Sequence, residues 1–73
     1  MITSANSFGE RLKELRQDKN LGQNELADKI GISNASISYY ENGKQEPTAS
    51  TIIKIALYFN VSTDYLLGLK DEY

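Results

Sequence analysis

The side chains that could do chemistry in this chain of 73 residues are carboxylates, amides, hydroxyls and cationic groups, because the sequence contains no Cys and no His. Zinc sites, thiol nucleophiles and most general-base catalysis near neutral pH depend on those two residue types. Hydrogen bonding remains, and Asn34, Ser36, Ser38 and Tyr39 supply amide and hydroxyl groups close together in sequence. An enzyme would need paired carboxylates in a pocket, for which so short a chain leaves little room. We therefore expect a protein that is not an enzyme and holds no metal or cofactor.

The length and charge of the chain restrict its partners. Seventy-three residues are enough for one domain. The formal net charge of −2 argues against a nucleic-acid partner, but the excess lies from Asp64 onward, where three acidic residues oppose Lys70, and residues 1–63 are neutral. No apolar run could span a membrane, and residues 1–7 lack the basic and apolar regions of an export signal. We expect a cytoplasmic protein with no membrane partner.

Apolar residues recur at helical spacing along the chain, and no segment alternates with the two-residue period of a strand. We therefore predict an all-α fold of short helices. The expected positions are a first helix from a Ser7–Glu10 capping box to about Lys19, a second from Gln23 to Ile30, a third from the N-cap Ser33 to near Glu41, a fourth that carries Ile52, Ile55, Ala56 and Phe59, and a last from the cap Ser62 through Leu66 with Gly68 as its stop.

The second and third helices are predicted to pack as a helix-turn-helix. Each has only a few turns and would be unstable alone, so the two must be held together across a very short connection. Ala27 provides a small residue where the helices cross, and Gly31 provides a residue that tolerates a positive φ in the turn. The segment is typical of a helix-turn-helix for these reasons.

The sequence resembles the phage-repressor and Cro-like helix-turn-helix proteins, also called the XRE family, over about Phe8 to Leu67. The segments that carry the resemblance are Arg11-Leu12-Lys13-Glu14-Leu15-Arg16, Gln23-Asn24-Glu25-Leu26-Ala27, Gly31-Ile32-Ser33, Ser36 to Lys44, Pro47, and Val61-Ser62-Thr63-Asp64-Tyr65-Leu66-Leu67. The resemblance implies a compact five-helix lambda-repressor-like domain at residues 8–68, between a short lead at 1–7 and a tail at 69–73.

The resemblance also implies roles for individual residues. Base reading in the major groove falls to the outward positions of the third helix, which are Asn34, Ala35, Ser38 and Tyr39; an Asn can pair with adenine, and Ala or an aromatic ring can contact a thymine methyl. Phosphate contacts fall to Gln23, Ser36, Arg16, and Lys44 with the backbone amides near it. Arg16 and Glu41 match a family pair that forms a partly buried salt bridge and orients the reading helix.

The sequence departs from the tightly binding members of this family in its charge. The loop before the fourth helix contains Gln45 and Glu46, and residues 1–7 contain no Lys or Arg. We therefore expect modest affinity from one domain, and binding as a homodimer to an inverted repeat with half-sites about 34 Å apart.

A set of apolar residues outside the main stripe of the fourth helix has two interpretations. Such residues either widen the core contact or form an exposed surface for a second copy or another partner. The set consists of Ile53, Leu57, Leu67 and Leu69, with Tyr58 and Tyr73 as further members.

The leading hypothesis from the sequence is a double-stranded DNA-binding transcriptional regulator, a bacterial or phage repressor. The alternative keeps the fold but binds protein, as an antitoxin-like or anti-repressor module with weak DNA affinity. Gln23, Lys44 and the polar Asn34–Tyr39 face favour DNA, whereas the neutral charge and the apolar Ile53 and Leu57 favour a protein partner. A further C-terminal domain, which many relatives carry, stays an open alternative.

Overall fold

A computed structural model describes residues 7–73, which form five α-helices and no strand. The helices are α1 (Ser7–Asp18), α2 (Gln23–Ile30), α3 (Asn34–Glu41), α4 (Ala49–Phe59) and α5 (Thr63–Leu66). The predicted all-α fold is confirmed. Residues 1–6, most of the predicted N-terminal lead, lie outside the described part of the chain.

The helix ends follow from local sequence. The side chains of Ser33, Thr48 and Ser62 each accept a hydrogen bond from the backbone amide three residues later, at the starts of α3, α4 and α5. At the start of α2 the preceding residue, Gly22, is a glycine with no side chain, and its backbone amide instead donates to Glu25 Oε1 at 2.7 Å. α1 already includes Ser7, so the predicted N-cap residue lies in the first turn of that helix.

The core takes one fully buried side chain from each helix. Leu12, Leu26, Ile37, Ile55 and Leu66 all have no exposed surface. Burying one such side chain contributes about 1.5–3 kcal/mol. Because helices of 4 to 12 residues are too short to be stable alone, the five helices stabilise one another through this shared core.

α2 and α3 form the predicted helix-turn-helix. Ala27 is almost fully buried, and its carbonyl accepts hydrogen bonds from the amides of Gly31 at 2.9 Å and Ile32 at 3.0 Å. Gly31 has a φ of 75°, the left-handed conformation that the turn needs. The small residue at the crossing and the glycine in the turn therefore have the roles that their spacing predicts.

α4 has a buried side and an exposed apolar side. Ile55, Ala56 and Phe59 belong to the core, whereas Ile53 is 51% exposed and Leu57 is 76% exposed. The open question from the sequence is thereby answered in favour of an exposed surface for these two residues. None of the helices formed by residues 7–73 is long and apolar enough to cross a membrane.

Candidate nucleic-acid interface

A buried carboxylate ties the third helix to the first. Glu41, in the last turn of α3, accepts hydrogen bonds from Arg16 Nε at 2.6 Å and Arg16 Nη2 at 3.0 Å. The Glu41 side chain is 3% exposed and that of Arg16 is 11% exposed. A bidentate pair of this kind fixes both distance and orientation, so it sets the position of α3 relative to α1.

Gln23 joins the same carboxylate from the start of α2. Its Nε2 donates to Glu41 Oε1 at 3.1 Å. An amide nitrogen carries two protons, so this bond leaves one N–H of Gln23 unused. Glu41 therefore connects three helices, and we call Arg16, Gln23 and Glu41 the polar knot.

The guanidinium of Arg16 is largely committed inside the protein. Besides its two bonds to Glu41, Nη1 donates to the carbonyl of Leu21 at 2.8 Å. The hydrogen bond to Glu41 raises the pKa of Arg16 above its usual value and outweighs burial, which lowers it. The position favours the structural role of Arg16 over the phosphate contact that the family resemblance also implies.

One side of α3 presents polar groups to solvent. Asn34 and Ala35 are exposed, Tyr39 is 47% exposed, and Ser38 is half-buried. The inward side of the same helix carries the buried Ile37 and Tyr40. The four base-reading candidates therefore lie on the outer part of α3, while the inner part fixes the helix to the core.

Two serine hydroxyls at the start of α3 are already linked. Ser33 Oγ donates to Ser36 Oγ at 2.9 Å, and the Ser36 amide donates to Ser33 Oγ at 3.1 Å. Because Ser36 Oγ accepts the first bond, its own proton stays available for an outside acceptor. Ser36 is thus a prearranged donor at the start of α3.

The loop after α3 holds Lys44 and a bend in the backbone. Gly43 has a φ of 74°, its amide donates to the carbonyl of Tyr40, and the Lys44 amide donates to the carbonyl of Tyr39 at 2.8 Å. These two amides are therefore not free for a ligand, although the Lys44 side chain is exposed. The amides of Gln45 and Glu46 have no acceptor within residues 7–73.

Two further residues that the sequence predicts as part of a site, Leu67 and Leu69, lie outside α3 and its loop, and other residues with notable contacts were not predicted. Leu67 is 39% exposed and Leu69 is 70% exposed, and both follow α5. The backbone amides near Lys44, which the resemblance implies as phosphate contacts, divide into two pairs: those of Gly43 and Lys44 are bonded, and those of Gln45 and Glu46 have no acceptor within residues 7–73. Sequence reasoning did not distinguish the two pairs, because backbone groups leave no mark in residue types. It also missed Arg11, whose contacts are with residues more than fifty positions away.

Comparisons with known proteins place this geometry in a family. A family model described as helix-turn-helix matches residues 12–66. The chain is 48% identical to the HTH-type transcriptional regulator ImmR of Bacillus subtilis over 66 residues, which cover 90% of this chain and 51% of ImmR. It spans about half the length of the curated relatives that it matches.

Two similar structures were solved with DNA. The P22 c2 repressor in complex with a synthetic operator is 30% identical, with a TM-score of 0.77, over 81% of this chain and 89% of that one. The biofilm regulator SinR in complex with DNA is 31% identical, with a TM-score of 0.77, over 82% of this chain and 97% of that one. The chain belongs to the XRE-type helix-turn-helix family, to which the phage repressors also belong.

Proposed function

We propose that this protein is a transcriptional regulator that binds double-stranded DNA, and more finely a repressor that reads the major groove with α3. The observation that carries the proposal is the division of α3 into an outer side that carries Asn34, Ala35, Ser38 and Tyr39 and an inner side fixed to the core and to the polar knot. Base reading requires donors and acceptors that are both accessible and rigidly placed. The likeness to two proteins solved with DNA supports the same assignment.

Phosphate binding is assigned to donors that have no acceptor among residues 7–73. These are the second N–H of Gln23, the hydroxyl proton of Ser36, the Lys44 ammonium, and the amides of Gln45 and Glu46. Such contacts position a protein on the duplex without reading its sequence. Arg16 is assigned to the polar knot instead, since its bonds to Glu41 and Leu21 use three of its five N–H groups.

Base reading is assigned to Asn34, Ala35, Ser38 and Tyr39. Asn34 offers both a donor and an acceptor, the pattern that matches adenine in the major groove. Ala35 and the Tyr39 ring offer apolar contact to a thymine methyl. Ser38 accepts a long 3.5 Å hydrogen bond from Asn42, which favours its use as a donor toward a base.

Binding as a homodimer to an inverted repeat follows from the charge and the exposed apolar residues. With a net charge of −2, one domain can neutralise few phosphates, so two copies on adjacent half-sites would be needed for useful affinity. The exposed Ile53, Leu57, Leu67 and Leu69 are candidates for the surface between the copies. Half-sites of such a dimer would lie about 34 Å apart.

A second candidate function is a protein-binding module on the same fold. The exposed Ile53 and Leu57 favour it, because adjacent apolar side chains on one helix face are typical of partner surfaces. Under this alternative the reading face would carry no sequence preference.

The proposal is tested by selecting bound duplexes from a random library at low and near-physiological salt. Two salt concentrations are needed, because counterion release makes affinity steeply salt-dependent. We expect enrichment of a short inverted repeat with half-sites about 10 base pairs apart. Absence of enrichment at both salts would overturn the DNA-reading assignment and favour the protein-binding alternative.

A further inference from the structure

The chain does not leave the domain freely after α5 but turns back along it. Gly68 has a φ of 81°, and the Leu69 amide donates to the carbonyl of Asp64 at 2.8 Å. Four residues later the carbonyl of Tyr73 accepts a hydrogen bond from the Ser62 amide at 2.7 Å. Residues 69–73 therefore run back toward the start of α5, and we call them the C-terminal strap.

Arg11 of α1 is the centre of the contacts that hold this strap. Its Nη1 donates to the carbonyl of Tyr65 at 2.9 Å and to the carbonyl of Lys70 at 2.6 Å, and its Nη2 donates to Asp71 Oδ1 at 3.2 Å. The guanidinium carbon also lies 4.4 Å from the centre of the Tyr65 ring. One side chain thus connects α1, the end of α5 and the strap.

Apart from the backbone bonds Leu69–Asp64 and Ser62–Tyr73, few contacts hold the strap. Leu69 is 70% exposed and Tyr73 is 63% exposed, so apolar burial contributes little to its docking. The Tyr73 ring does meet the Tyr65 ring edge-on, with centroids 4.9 Å apart. Asp71 is 97% exposed, and an ion pair at such a position contributes little. Of the two carbonyls that Arg11 binds, that of Lys70 belongs to the strap, so the 2.6 Å bond to Lys70 is the main side-chain contact that holds it.

We propose that Arg11 is a latch that docks the C-terminal strap and thereby fixes the point at which the chain leaves the domain. With the latch closed, a segment joined after Tyr73 would start beside Ser62 and move with the domain. With the Arg11 contacts broken, the same segment would follow a mobile tail that begins near Gly68. The inference does not rest on DNA binding.

The position of Arg11 on α1 keeps the strap clear of the polar knot. Arg11 and Arg16 are five residues apart, which places their side chains about 140° apart around an α-helix and roughly 7.5 Å apart along its axis. Arg16 points to α3, while Arg11 points to α5 and the strap. The strap and the polar knot are therefore held by different side chains of α1.

The test is a comparison of backbone dynamics by nuclear magnetic resonance in the unaltered chain and in Arg11→Gln. In the unaltered chain we expect order parameters near 0.8 for the amides of residues 70–73 and below about 0.6 in Arg11→Gln. The Ser62 amide reports the same event, because Tyr73 is its acceptor. Its hydrogen exchange should become about tenfold faster in the variant.

Matched variants separate the latch from the exposed ion pair and from general loss of structure. Asp71→Asn removes only the negative charge 3.2 Å from Arg11 Nη2 and should leave the strap docked. Arg11→Lys should retain much of the docking, because one ammonium can replace Nη1. The buried Leu12 and Leu26 amides should stay protected in each variant. A protected Ser62 amide in Arg11→Gln would overturn the proposal, and so would order parameters below about 0.6 for residues 70–73 in the unaltered chain.

Discussion

α1 carries two arginines that bind different parts of the molecule through very different partners. Arg16 meets a carboxylate that is 3% exposed, whereas the carboxylate of Arg11, Asp71, is 97% exposed. Arg16 also shares its partner with Gln23, while Arg11 relies on the carbonyls of Tyr65 and Lys70. The first arrangement joins three helices, and the second joins two helices to a tail.

This difference indicates which arginine contributes to global stability and which to local order. Removing one member of a buried pair leaves the other charged and unsatisfied in the interior, which is strongly destabilising. Removing the hold on an exposed segment lets that segment detach while the core stays intact. We therefore expect the arginine at position 16 to contribute to global stability and the arginine at position 11 to the local order of the strap.

The largest effect is expected for Glu41→Ala. It leaves the guanidinium of Arg16 nine-tenths buried and without its carboxylate, so the free energy of unfolding should fall by about 3 kcal/mol. Urea unfolding followed by circular dichroism measures this change. The double variant Arg16→Met with Glu41→Leu serves as the control and should recover most of the loss, since no charge is then left unpaired. A loss below about 1 kcal/mol in Glu41→Ala would contradict the buried role of the pair.

A smaller effect is expected for Arg11→Gln. The variant loses two hydrogen bonds from a charged donor to carbonyls at a side chain that is 21% exposed, and the strap can detach to relieve the loss. We expect the free energy of unfolding to fall by about 1 kcal/mol in the same urea experiment. If Arg11→Gln were as destabilising as Glu41→Ala, the two arginines would have equivalent roles and the comparison would fail.

The stability of the folded protein should also depend on pH through Tyr65, whose ring Arg11 contacts. Burial, followed by the effect of Tyr73, raises the pKa of the Tyr65 phenol above its ordinary value of 10.0, although Arg11 opposes the shift. The unfolded chain then loses the proton at lower pH than the folded one, so this contribution to stability is complete below pH 10 and declines as pH rises further.

The pH dependence is checked by melting temperatures from pH 8 to about pH 11. Tyr65→Phe, which cannot ionise, should lose less stability across the upper part of that range than the unaltered chain. Tyr39→Phe, at an exposed position, is the matched control and should follow the unaltered chain. Parallel curves for Tyr65→Phe and the unaltered chain would contradict the assigned shift.

The smallest effect is expected for Asp71→Asn. Its carboxylate is almost fully exposed, so the change in the free energy of unfolding should stay within about 0.5 kcal/mol. Raising the salt concentration should have as little effect on the docking of the strap. A loss comparable to that of Arg11→Gln would assign the docking of the strap to the ion pair rather than to the bond with the Lys70 carbonyl.

The features that could be predicted from the sequence are those that depend on near neighbours in the chain. The turn at Gly31, the small residue at Ala27 and the cap at Ser33 each follow from residue type and spacing, because the relevant partners lie within five positions. The Arg16–Glu41 pair spans 25 positions and was predicted only because of the family resemblance. Spacing alone gives no sign of it.

The features that could not be predicted depend on long-range geometry or on backbone groups. Arg11 binds carbonyls 54 and 59 positions away, and every residue has a carbonyl, so residue types give no signal. The exposure of Leu57 was equally open, since its apolar character fits a core position as well as a partner surface. Only the packing of α4 on the core distinguishes the two.

The central claim is that the outer half of α3 reads bases while the polar knot holds it in place. The most direct measurement is the affinity of Asn34→Ala and Gln23→Ala for the selected duplex and for a scrambled one, at a single salt concentration. We expect Asn34→Ala to lose about 1–3 kcal/mol on the selected duplex only, and Gln23→Ala to weaken binding to both duplexes alike. Equal losses on both duplexes for Asn34→Ala would contradict the assignment of base reading to α3.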